Sequence, residues 1–168
     1  MNYTKTQQFH IPHKAISAAA GSGKTFQLIR RYVGILCSGV PAERIIAMTF
    51  TRKAAGEIFD RVVHALSYAA SSVENAQQIT DELRACEAIP PTHELTSDHA
   101  RSLLREVLEK MHLCRIGTLD SFLVSIVQAF PLELEVGGQL NILEGHPAMV
   151  ARQDALQAIL ENMAPIEA

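Results

Sequence analysis

Cysteine is scarce: Cys37, Cys86 and Cys114 are the only three, and none lies near another in the chain. That spacing speaks against a disulfide framework and against a cysteine zinc site. His10-Ile11-Pro12-His13 brings two imidazoles together, but no third or fourth ligand stands nearby, and metal sites need several. The segment reads as polar chain ahead of a first strand. No apolar run has transmembrane length, and residues 1–8 lack an apolar signal-peptide stretch. A cytoplasmic protein with no membrane partner is expected. Internal repeats and low-complexity linkers are also missing.

An excess of cations is missing as well. The net charge is −3, so nucleic-acid binding is not announced by the total. The distribution says more. Residues 1–63 hold nine Lys/Arg against three Asp/Glu, and residues 64–168 hold six against fifteen. A basic front end can meet a polyanion while the acidic remainder stays solvated, although two ordinary solvated surfaces would give the same totals. With 168 residues, 48% of them hydrophobic, the chain has material for one core, or one domain and part of another.

The order of elements gives the fold class. Residues 14–19 read as a short strand and residues 25–37 as a helix, with Phe26, Leu28, Ile29, Tyr32, Val33 and Leu36 at helical spacing. Ser38-Gly39-Val40-Pro41 breaks it. Residues 44–49 form a second strand and 52–68 a second helix. Strand–helix–strand–helix order implies a parallel α/β sheet. Residues 69–91 and 92–112 then read as helical, 114–118 as a third strand and 119–129 as a helix ended by Phe130-Pro131. Residues 132–143 are irregular, and 147–162 form a last helix.

Between the first strand and first helix lies Ala18-Ala19-Ala20-Gly21-Ser22-Gly23-Lys24-Thr25. A phosphate-binding loop has Gly, four residues, then Gly-Lys-Ser/Thr; here Ala18 stands at the first glycine position. Gly21 and Gly23 permit the tight turn that aims backbone N–H groups at phosphate oxygens. The helix that follows points its N-terminus at the same anion. Lys24 supplies charge for the β- and γ-phosphates, and the Thr25 hydroxyl suits Mg²⁺. A nucleoside triphosphate with Mg²⁺ is therefore the expected ligand.

The next motif narrows the class. Thr49-Phe50-Thr51-Arg52-Lys53-Ala54-Ala55-Gly56-Glu57-Ile58-Phe59-Asp60-Arg61 resembles motif Ia of the UvrD/Rep helicases of superfamily one. In that family alanine is common at the first position of the phosphate loop, so Ala18 fits it. Gly117-Thr118-Leu119-Asp120-Ser121-Phe122 resembles motif Ib, with Asp120 in place of the usual histidine and read as a helix N-cap. More than fifty residues separate Arg61 from Gly117. That insertion is similar to the RecB/AddA branch, as is Leu140-Asn141-Ile142-Leu143-Glu144 followed by a helix.

The resemblance implies a RecA-like P-loop domain, partial, with a parallel sheet. It implies residues 1–131 as domain 1A, a helical insertion at about 62–113, and residues 132–168 as the start of helical domain 1B. Ala20, Gly21, Ser22, Gly23, Lys24, Thr25 and Phe26 would surround the nucleotide, with Lys24 and Thr25 catalytic. Single-stranded DNA would meet Thr49, Phe50, Thr51, Arg52, Thr118 and Ser121. The small hydroxyls suit phosphate and Phe50 offers a stacking face, although an aromatic at a strand end is as often core. Glu57 and Arg61, four apart, suit a mutual ion pair.

The implied function is the ATP-binding part of an ATP-dependent DNA helicase or helicase–nuclease subunit, moving 3′-to-5′ along single strands in repair or recombination, with a possible partner subunit. No Asp-Glu pair follows residue 122, and strand-end carboxylates are needed to hold Mg²⁺. Gln7 and Gln8 are the candidates for reading adenine. The chain is thus expected to be the N-terminal piece of a longer protein, inactive alone. A small-molecule kinase would explain residues 14–38 but leaves residues 49–61 unused. A non-catalytic protein-binding module is the other alternative.

Overall fold

The computed structural model describes residues 9–17, 23–131, 133, 143 and 145–162. Residues 1–124 form one unit and residues 125–168 another. In the first, α1 (Lys24–Cys37) leads through a 3₁₀ turn (Ala42–Arg44) into β1 (Ile46–Thr49), and α2 (Arg52–Ser71) follows. Then come α3 (Val73–Ala85), α4 (Ser97–Glu109), a second 3₁₀ turn (Met111–Leu113), β2 (Arg115–Thr118) and α5 (Leu119–Ala129), which runs across the unit boundary. The second unit holds α6 (His146–Asn162), which follows Gly145 at φ 65° and carries Pro147 in its first turn, where a missing N–H costs nothing.

α2 is the centre of the first unit. Ala55, Ile58, Val62, Ala65, Leu66 and Ala69 are buried, at the three- and four-residue steps of one helical face. Its alanines let neighbours approach closely, and α1, α3, α4 and both strands pack on it. Leu36 and Val33 of α1, Leu83 of α3 and Val107 of α4 fill the same core, each almost without solvent contact.

β1 and β2 pair in parallel, with Ile46 opposite Arg115 and Thr49 opposite Thr118. Ala47 is buried on one face, whereas Ile46 and Met48, pointing the other way, are exposed. Two side chains tie the strands at their starts. Lys110 Nζ, just after α4, meets Glu43 Oε1 at 2.8 Å and Glu106 Oε1 at 3.5 Å, clamping the turn before β1 to the approach to β2. That hydrogen bond holds the Glu43 carboxyl below the usual carboxylate range and raises the lysine.

An α/β arrangement with a parallel pair is present, but the expected first strand is not formed over its described residues, 14–17. A strand needs a ladder partner, and residues 14–17 pair with neither β1 nor β2. Residues 12–14 are docked by side chains instead: Arg31 donates to the Pro12 carbonyl and Lys14 Nζ meets Glu87 Oε2 at 3.1 Å. Residues 18 and 19 of that expected strand lie outside the described residues, as does almost all of the irregular stretch 132–143.

The expected helix over 69–91 is also corrected. α2 runs on to Ser71, and Ser72, extended at φ −154°, starts α3 by accepting from Asn75 N–H at 3.1 Å. α3 stops at Ala85, and Glu87 takes a left-handed φ of 54° before Pro90-Pro91. Residues 92–96 form no helix. The buried Thr80 hydroxyl accepts from Leu95 N–H at 3.1 Å and donates to the Ala76 carbonyl at 2.9 Å, pinning that loop. Thr96 then caps α4 through His99 N–H. Among the described residues, no helix is long and apolar enough to cross a membrane.

Candidate nucleotide and nucleic-acid sites

Of the expected nucleotide loop, Ala18, Ala19, Ala20, Gly21 and Ser22 lie outside the described residues, as do Gln7 and Gln8. Gly23, Lys24, Thr25 and Phe26 are described. Gly23 caps α1 at φ 81°, ψ 16°, a left-handed conformation that only glycine adopts cheaply, and no side chain caps the helix. A Cβ there would meet nothing within 4 Å, so the demand for glycine is conformational rather than steric. The first intrahelical bond runs from Gln27 N–H to the Gly23 carbonyl at 3.0 Å. Helix geometry therefore turns the amides before Gln27 out of the N-terminal end, where the dipole is positive. Lys24 and Thr25 are exposed beside them. A phosphate chain with its cation fits this combination of donors, charge and hydroxyl.

Phe26 is half-exposed and carries the Arg30 guanidinium 4.6 Å from its ring centre. Both residues border a cleft of about 310 Å³ between α1, α2 and α3, which Arg61, His64, Tyr68 and Glu82 also line. No sequence pattern marks Glu82 as a partner of Arg30, because 52 residues separate them.

The motifs at residues 49–52 and 118–121 come together. Thr49 and Thr118 are opposite one another at the ends of the parallel strands, and a helix leaves each strand in turn. The two starts are built alike. The Thr51 hydroxyl accepts from Ala54 N–H at 3.1 Å, and the Thr118 hydroxyl accepts from Ser121 N–H at 3.1 Å. Two helix N-termini thus stand at one sheet edge, with their positive ends there.

Phe50 is 90% exposed, which removes the core role that a strand-end aromatic could have had. Thr51, Arg52 and Lys53 are exposed beside it, and so is Ser121, whose hydroxyl donates back to the Thr118 carbonyl at 2.7 Å. Asp120 is not the N-cap of α5: Thr118 takes that bond, and Asp120 is the second helical residue, where a carboxylate complements the dipole. Glu57 and Arg61 do approach, at 4.0 Å, the outer limit of an ion pair. Among the described residues, no group of three His, Cys, Asp or Glu could hold a metal ion.

The sequence that carries these two strand-to-helix junctions and the lysine-bearing start of α1 has relatives among known proteins. Residues 4–166 match the UvrD/REP helicase N-terminal domain. The chain belongs to this helicase family. Among curated relatives, an ATP-dependent helicase/nuclease subunit from Heliobacterium modesticaldum is 28% identical over 147 residues, 88% of this chain and 9% of the relative. The protein of the same name from Streptococcus agalactiae is 31% identical over 129 residues, covering 77% and 9%. That from Lactobacillus gasseri is 28% identical over 163 residues, covering 94% and 12%. The chain therefore spans roughly a tenth of the length of these helicase relatives. No solved structure matches it.

Proposed function

We propose that this chain is the ATP-binding part of an ATP-dependent DNA helicase, of the helicase–nuclease subunit kind, that couples ATP hydrolysis to movement along single-stranded DNA in repair or recombination. The observation that carries the reading is the shared sheet edge. Thr49, Phe50, Thr51 and Arg52 on one strand-to-helix junction stand beside Thr118 and Ser121 on the other. Two hydroxyl-rich helix starts suit successive phosphates, and an aromatic ring held in solvent suits an unstacked base. Arg52 and Lys53 of the first junction belong to the basic stretch 1–63, which holds nine Lys/Arg against three Asp/Glu.

For the nucleotide, the residues at the start of α1 fit the group. Ala20 to Gly23 would wrap the phosphates, Lys24 would counter their charge, Thr25 would ligate Mg²⁺, and Phe26 would border the sugar and base. Bound Mg²⁺ would neutralise the charge that develops on the transferred phosphoryl oxygens. The chain's own contribution is preorganisation: Gly23 sets the turn, and α1 fixes the direction of its first-turn amides.

In domain terms, residues 1–131 are the partial RecA-like P-loop domain 1A, residues 62–113 its helical insertion, and residues 132–168 the start of domain 1B. The carboxylates that complete such a site belong to a further part of the protein, and the partner subunit is one of a helicase–nuclease complex. Lys24→Ala in the intact protein is expected to abolish ATP hydrolysis and leave single-strand binding within a few-fold of the original. Surviving hydrolysis would refute the role given to Lys24, and salt-insensitive or absent single-strand affinity would refute the DNA edge.

A further inference from the structure

The cleft beside Phe26 is lined by a continuous polar chain that the phosphate and DNA sites do not use. Tyr68 of α2 donates its hydroxyl to Gln78 Oε1 at 2.9 Å. Gln78 Nε2 donates to Glu82 Oε1 at 3.3 Å, and Arg30 Nε donates to the other oxygen, Oε2, at 2.6 Å. Arg30 then covers one face of the Phe26 ring. The chain ends on the residue that follows Lys24 and Thr25.

The burial of these groups shows which of them are fixed. The Arg30 side chain is only 11% exposed and Glu82 26%, so the ion pair is largely withdrawn from solvent and its geometry is held at both carboxylate oxygens. Phe26 is 43% exposed. With the guanidinium on one face, the exposed part of the ring is a flat apolar surface whose position is set from behind. A ring so braced, at the start of a phosphate-binding helix and at the mouth of a cleft of about 310 Å³, is suited to stack a planar heterocycle.

We propose that Glu82 on α3 is a positioning residue for the nucleotide: it holds Arg30, and through Arg30 the Phe26 ring, as the platform on which the base of the bound triphosphate stacks. This rests on the ATP-binding reading above. Phe26 touches the base; Glu82 acts only through Arg30. The helix that supplies Glu82 belongs to the long excursion between the two DNA-edge motifs, which thereby gains a part in nucleotide affinity.

The test uses the intact protein with single-stranded DNA and compares two ligands. ATP carries a base; inorganic tripolyphosphate with Mg²⁺ carries only the phosphate chain. Phe26→Ala is expected to raise KM for ATP about ten-fold or more, the loss of one base–aromatic stack. Glu82→Ala is expected to raise it about three- to ten-fold, Glu82→Gln less, with kcat at saturating ATP within two-fold in each. The double variant should be no worse than Phe26→Ala alone, because both act through one ring. The inhibition constant of tripolyphosphate should stay unchanged throughout.

An unchanged KM in Glu82→Ala and Glu82→Gln overturns the proposal. So does a parallel loss of tripolyphosphate affinity, which would mark a disturbed phosphate loop. If Glu82→Ala does not fold, Glu82→Gln and Phe26→Ala decide alone. Should the unaltered protein neither hydrolyse ATP nor bind tripolyphosphate, the ATP reading itself fails. Normal wild-type turnover with unmoved variants sinks only the role of Glu82.

Discussion

Gly34 sits in the last turn of α1, and replacing it with alanine sets two effects of opposite sign against each other. Propensity alone favours the change, since alanine is about 1 kcal/mol better than glycine inside a helix. Packing opposes it. A Cβ built on Gly34 would stand 2.9 Å from both the carbonyl carbon and the Cβ of Ala88, and would overlap the Ala88 carbonyl oxygen outright. Ala88 is fully buried, and its N–H is bonded to the Leu83 carbonyl at 2.8 Å. Its neighbour Glu87 is in the left-handed region. The obstruction is tethered backbone and cannot rotate away.

Overpacking a closed site typically costs about 1–3 kcal/mol, and a clash with fixed backbone belongs at or above the upper end. Net of propensity, Gly34→Ala should destabilise by about 2 kcal/mol, lowering Tm by about 4–8 °C for a domain of this size. Differential scanning calorimetry or a far-UV circular dichroism melt reads the shift. The chemistry near Lys24 should be unaffected in the folded fraction, because Gly34 is at the other end of α1 from it. A rise in Tm would mean that propensity wins. The close approach of α1 to the turn after α3 would then be wrong.

Two further perturbations test separate parts of the molecule. Phe50→Ala should leave Tm within about 1 °C, since the removal of an exposed surface side chain shifts stability little, while single-strand affinity falls about ten-fold or more by titration of a fluorescent oligonucleotide; a stability loss without an affinity loss would make Phe50 a packing residue. Burial pushes the imidazoles of His93 and His99 below their ordinary value, helped by Arg84 near the first and by their mutual approach. The folded state then binds fewer protons than the unfolded chain below about pH 6.5, so their contribution to stability is present above that pH and lost as the pH falls. A His93→Gln/His99→Gln variant should show a shallower decline of Tm between about pH 7 and pH 5.5; an identical slope would refute this assignment.

How far the sequence can be read depends on whether the deciding interaction is local. α5 begins and ends at the bounds expected of residues 119–129, because Thr118 precedes it and Phe130-Pro131 follows. The break at Ser72 is local too, but its cap competes with a run of alanines and serines that helices tolerate, and the hydroxyl's choice is invisible without the fold. At residue 120 the capping logic holds but the residue differs: Thr118, two positions earlier, reaches the same turn. The strand expected at 14–19 does not form over residues 14–17, because a strand exists only by virtue of a neighbour. The family motifs locate the two helix starts, but only the register of Thr49 with Thr118 makes them one edge. The pairing of Arg30 with Glu82 has no sequence signature at all.

The pairing of β1 with β2 also sets the order in which this protein can fold. Ile46 and Arg115 are about 70 residues apart, and closing a flexible loop of that length costs about 4 kcal/mol before any ladder bond is made. Four short rungs repay this poorly. The helices between them reduce the cost: once α3 and α4 have packed on α2, the ends of the excursion are already close, and the Lys110–Glu43 contact holds the strand starts side by side. Helix association should therefore be early and local, and the strand edge late. On the ribosome the edge cannot exist until Thr118 has emerged, so the two strand-to-helix junctions are brought together only after α2, α3 and α4 are available to pack. On the DNA-edge reading proposed above, a nascent chain is thereby spared from binding nucleic acid while its core is still open.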